Sequence, residues 1–142
     1  MLPRERFALI WLVGLVLIPT SYFVYLSLNP AAAEAGLLHR LGLLGAALTA
    51  LAIVALCGRF LTLGLGPQAK AAITDERDRR IESHSMSVAY QVLMGGMILV
   101  GFVLPFSAAP WDLVHAAFGA IVLAEIVHYS LVLFSYRRGL SG

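Results

Sequence analysis

Cysteine is nearly absent. Cys57 stands alone in 142 residues, which excludes an intrachain disulfide and a thiolate-bound metal cluster and leaves Cys57 as a small apolar residue of a helix. Charge is scarce too, at 13% of the chain against about a quarter in soluble domains. The sequence contains no nucleotide-binding glycine loop, no H-E-x-x-H and no G-x-S-x-G, so it carries no signature of phosphoryl transfer, zinc-peptidase or serine-hydrolase chemistry. It also lacks a polybasic run suited to nucleic acid: the net charge is only +2, and acids and bases interleave where they cluster.

What remains is apolar. Hydrophobic residues make up 60% of the chain and the mean hydropathy is +0.86, far outside the range of a soluble domain. Crossing the hydrocarbon core takes about 20 predominantly apolar residues. Four stretches qualify, at 7–28, 37–57, 85–106 and 111–134. Each must be a helix, because an isolated strand leaves its backbone unpaired in lipid and these runs lack the alternation of a barrel. The expectation is an all-α, four-transmembrane-helix bundle forming one integral membrane domain over 1–142, with a central loop at 58–84. The first run exceeds the length of a signal-peptide core and is read as an uncleaved span, with cleavage near "NPAAAEAG" as the alternative.

The basic residues orient these spans. Arg4 and Arg6 precede the first, Arg59, Lys70, Arg77, Arg79 and Arg80 lie between the second and third, and Arg137 and Arg138 close the fourth, while Arg40 alone falls on the other side. Nine of the 10 Lys and Arg residues thus share one face, which the positive-inside rule makes cytoplasmic. Both termini are expected in the cytoplasm. Trp11, Trp111 and Tyr136 suit the interfacial belts.

The densest charge, "TDERDRRIE" at 74–82, anchors the start of the third span. Thr74 or Asp75 can cap that helix, and Asp75, Glu76 and Asp78 in its first turn complement the helix dipole. Gly64, Gly66 and Pro67 mark a break upstream. Beyond the cluster, Arg80, His84, Ser87 and Gln91 recur at spacings of four, three and four and so share one helix face. In the fourth span Glu125 and His128 are three apart, with Tyr129 one turn from the glutamate. Counting back along both helices from their short connection puts Glu125 near the depth of Gln91. The expectation is an intramembrane polar seam of Glu125, His128, Gln91, Ser87, His84 and Tyr129, with Glu125 either neutral and hydrogen-bonded or paired with protonated His128. Ionisable groups at such depth face protein or water. The seam is either interhelical glue or a proton- or ligand-handling site.

Close packing is expected along Gly42, Ala46 and Ala50 in the second span and Ala116, Ala120 and Ala124 in the fourth, whose spacing brings small residues to one face. Pro19, followed by Thr20 and Ser21, is expected to bend the first span. Haem is a minor alternative: His39 and His115 lie toward one face of the membrane and His84 and His128 toward the other. His115 and His128, however, stand roughly 140° apart around their helix, a poor fit to two haems stacked in one interior. Glu125-x-x-His128 has the spacing of carboxylate-bridged metal helices but occurs once, where such sites use two copies. No cofactor and no metal site is expected.

"TDERDRRI" entering the third span, together with "LAEIVHYSLVLFSYRRG" closing the fourth, resembles an uncharacterised family of small bacterial predicted integral membrane proteins with four helices, a cytoplasmic Asp-Glu-Arg motif and a basic carboxyl end. The matching positions are Asp75, Glu76, Arg77, Asp78, Arg79 and Ile81, then Glu125, Tyr136, Arg137, Arg138 and Gly139. The resemblance implies fold and topology and carries no catalytic residue. His84 and His128 are particular to this chain.

Three functions are compatible with these features. The first is a non-enzymatic accessory or regulatory subunit of the bacterial inner membrane, which associates with further copies or a membrane-protein partner and presents the Asp75 to Glu82 segment to the cytoplasm. The second is a small proton-coupled exporter or ligand carrier in which Glu125 exchanges a proton for substrate. The third is b-type haem electron transfer.

Overall fold

The computed structural model describes residues 3–63 and 76–138, and everything described is helix or short connection. Four helices are long and apolar enough to cross a membrane, at Glu5–Leu28, Leu37–Thr62, Asp78–Phe106 and Pro110–Arg138. The chain divides into two compact units, Met1–Ala69 and Lys70–Gly142, each a helical hairpin.

The first hairpin joins α1 (Pro3–Leu28) to α3 (Leu37–Leu63) through a single turn, α2 (Pro30–Ala33). Asn29 ends α1 by folding back, its backbone N–H and its side-chain amide both donating to the Tyr25 carbonyl at 3.0 Å. Pro30 then opens α2 at a position where a missing N–H costs nothing. Helix α1 continues as α-helix through Pro19, and the Ser21 hydroxyl donates to the Ile18 carbonyl at 2.8 Å.

Two glycines set how closely these helices approach. A Cβ on Gly14 would stand 2.8 Å from Val54 Cγ1, and one on Gly58 would touch Phe7 and Ile10 at 3.4 Å. The expected row at Gly42, Ala46 and Ala50 does not make this contact. Gly42 and Ala46 are exposed, and a Cβ on Gly42 would meet nothing within 4 Å. The buried residues of α3 are instead Ala47, Leu51 and Gly58, offset from the small-residue row.

The second hairpin pairs α4 (Glu76–Ile98) with α5 (Pro110–Arg138). Within the segment expected between the second and third spans, 58–84, α3 runs on to Leu63 and α4 begins at Glu76. At its far end α4 widens into a π-helical turn, Leu99–Val103, and then tightens into a 3₁₀ turn, Leu104–Phe106. Pro105 lies in that last turn and cannot donate to a regular ladder. Helix α5 starts with Pro110 at its first position, and the Ala109 N–H donates to Asp112 Oδ2 at 3.3 Å. The carboxylate satisfies one of the orphan donors of a helix start.

Here the expected small-residue row is used in part. A Cβ on Gly96 would stand 2.7 Å from Ala120 Cβ, and Ala124, one turn on, is buried. On the α4 side Ser85 and Ala89 are buried and lie on the same face as Gly96.

Candidate functional site

The line of α4 that faces α5 runs from Asp78 through Ser85 and Ala89 to Gly96, positions that fall together at 100° per residue. At its outer end the Tyr136 hydroxyl donates to Asp78 Oδ1 at 3.0 Å, and Tyr136 is buried. Ser85 is almost fully buried, and its hydroxyl is satisfied by the Glu82 carbonyl at 3.0 Å. The first turns of α4 are therefore seated on the last turn of α5. Arg138 closes that turn with its guanidinium 4.2 Å above the Phe134 ring, a cation–π contact.

The polar row of α4 lies on the opposite side. Arg80, His84, Ser87 and Gln91 are all exposed. Glu125 is five residues from Ala120, about 140° around α5, and Tyr129 is nine residues away, about 180°. Neither residue points along the Gly96–Ala120 contact. The polar row of α4 thus lies away from the close-packed line of Ser85, Ala89 and Gly96. Glu125, His128 and Tyr129 are each half-buried. The His128 ring meets the Tyr129 ring edge-on at 4.7 Å, and His128 Nδ1 is buried with no hydrogen-bond partner.

What the structure does assemble is an open groove of about 550 Å³ on the outward side of α4, lined by Glu76, Arg79, Arg80, Ser83, His84 and Ser87. Arg80 pairs with Glu76 at 3.0 Å, both side chains being about 80% exposed. Arg79 is exposed and makes no ion pair or hydrogen bond among the described residues. Ser83 was not singled out from the sequence, although its spacing of four from both Arg79 and Ser87 marks it as their neighbour. Of the charged motif, Glu76, Asp78 and Arg79 are placed on α4. Asp75 lies outside the described residues, as do the side chain of Arg77, the break at Gly64, Gly66 and Pro67, Thr74 and Gly139.

Among the described residues no group of three or more His, Cys, Asp or Glu could hold a metal ion. His115 lies beside Trp111, ring centroids 5.9 Å apart, while His84 is exposed on the outer face of α4.

A family described as "Predicted membrane protein (DUF2178)" matches residues 5–140. The chain belongs to that family. Its membership agrees with the four long apolar helices, and it makes the protein a membrane protein of a family whose function is uncharacterised. No curated protein and no solved structure matches the chain.

Proposed function

We propose that the protein is a non-enzymatic accessory or regulatory membrane subunit, seated in a bacterial cytoplasmic membrane with both termini inside, that offers the outer turns of α4 to a protein partner. The observation that carries this reading is the Tyr136–Asp78 hydrogen bond. It holds the beginning of α4 as ordered helix against α5 while Glu76, Arg79, Arg80 and Glu82 remain exposed. A charged surface already fixed in shape loses little freedom when a partner binds. The orientation rests on the one-sided distribution of basic residues, and the exposed Gly42 and Ala46 on α3 suit a neighbouring helix, from a second copy or another membrane protein.

Alanine at Asp75, Glu76 and Arg77 together is expected to abolish co-purification of the partner from solubilised membranes. Retention of every partner by that variant would remove the docking role. The exporter reading rests on Glu125 with His128 beside it, and unchanged flux in proteoliposomes carrying Glu125→Gln would remove it. The haem reading is tested by a visible spectrum of the purified protein, in which no Soret band is expected.

A further inference from the structure

We propose that the outward face of α4 at Arg79, Arg80, Ser83, His84 and Ser87 is a binding site for the phosphate-bearing headgroup of an anionic phospholipid. The first ground is depth. From Met86 to Phe106 the chain is apolar apart from Ser87 and Gln91, and these turns rise about 30 Å, the thickness of the hydrocarbon core. Ser83 and His84 therefore stand at the edge of the hydrocarbon, with Arg79 and Arg80 one turn further out, in the headgroup layer.

The second ground is chemistry. Arg79 and Ser83, like Arg80 and His84, are four residues apart and so stack as neighbours on the helix surface. Together they set two guanidinium groups, an imidazole and a hydroxyl around one groove. Guanidinium groups match phosphate oxygens with paired N–H donors. Arg79 has no competing partner among the described residues. Arg80 is held only by the exposed pair with Glu76, an interaction weak enough to open. Ser87 lies about 6 Å deeper than Ser83, where its hydroxyl can donate to an ester carbonyl below the phosphate.

The third ground is that α5 contributes nothing to the groove. Ser85 and Ala89 carry the contact between the helices, so α5 does not cover this side of α4. Arg79 and Arg80 belong to both the partner surface proposed above and this groove, while Ser83, His84 and Ser87 lie up to about two turns deeper, and the lipid site is tested without any protein partner.

The test is native mass spectrometry of the full chain in detergent, titrated with phosphatidylglycerol or phosphatidylcholine. The wild type is expected to retain phosphatidylglycerol in preference to phosphatidylcholine. Each arginine near an anionic surface contributes roughly a fivefold effect, so Arg79→Gln with Arg80→Gln should weaken phosphatidylglycerol binding about 25-fold and leave phosphatidylcholine unchanged. The same charge loss at Arg137→Gln with Arg138→Gln should weaken phosphatidylglycerol binding clearly less and leave phosphatidylcholine unchanged. Equal losses from the two double variants would reduce the effect to net charge and overturn the site, as would equal retention of the two lipids by the wild type. Inorganic phosphate that displaces the lipid more strongly than chloride at the same ionic strength would show a site for free phosphate and overturn the lipid assignment. Both arginine pairs are on exposed helix ends, and unchanged helical circular dichroism checks that each variant is folded. Because purified protein is used, the outcome bears on the lipid site alone, and the docking role stands or falls on the co-purification experiment.

Discussion

Gly96 on α4 lies against Ala120 on α5 so closely that a methyl group added to the glycine would stand 2.7 Å from the alanine Cβ. Neither atom belongs to a side chain that can swing aside, so the two helices themselves would have to part. Gly96→Ala is expected to destabilise the second hairpin by about 1–3 kcal/mol, the usual cost of overpacking. Gly95→Ala provides the comparison, because a Cβ there meets nothing within 4 Å. It is expected to be neutral or stabilising by up to about 1 kcal/mol through helix propensity. Unfolding in mixed detergent and denaturant distinguishes the two, and equal stability of both variants would contradict the close approach.

In the first hairpin the corresponding obstacle to a substitution at Gly14 is Val54 Cγ1 at 2.8 Å. Valine on a helix has one strongly preferred rotamer, so it yields little. Gly14→Ala is expected to destabilise, and Val54→Ala in the same chain to recover part of the loss. A double-mutant cycle measures this coupling. Additive effects would place the two residues apart.

Removal of the Tyr136 hydroxyl leaves Asp78 without its long-range donor. A hydrogen bond to a charged group contributes about 1.5–3 kcal/mol, toward the lower end at a site open to water. Tyr136→Phe is expected to cost about that much and to speed amide exchange in the first turns of α4, while exchange around Gly96 stays slow. Uniform acceleration along the whole hairpin would mean that the bond is not a local fastening.

Orientation is tested independently of packing. A reporter active only in the cytoplasm is expected to be active when fused behind Gly142, and inactive when inserted beside Ala108 in the connection between α4 and α5. The reverse pattern would invert the assignment made from the arginine distribution.

The long apolar runs were legible because lipid leaves a polar backbone no alternative to the helix. The charged cluster likewise announced the start of α4, since carboxylates in a first turn have a physical reason to be there. Sequence periodicity also places Arg80, His84, Ser87 and Gln91 on one face, and the structure agrees. What periodicity does not reveal is which neighbour a face meets. That was settled by Ser85, Ala89 and Gly96, whose small volumes admit α5 where the larger polar residues would hold it off. The same limit applies on α3, where Gly42 and Ala46 have the spacing of a packing row but Gly58 makes the contact with α1. Tyr136–Asp78 joins residues 58 positions apart, and no local pattern signals it.

The π-helical turn at Leu99–Val103 has a geometric corollary. A widened turn accommodates about one residue more than a regular one, so it acts as a phase shifter, and side chains before and after it no longer follow a single angular count. Shortening this stretch by one amino acid would swing Phe102 and Phe106 to new bearings while leaving the Gly96–Ala120 crossing where it is. The connecting end of the hairpin can thereby change the side chains it presents without disturbing the groove at the opposite end of α4.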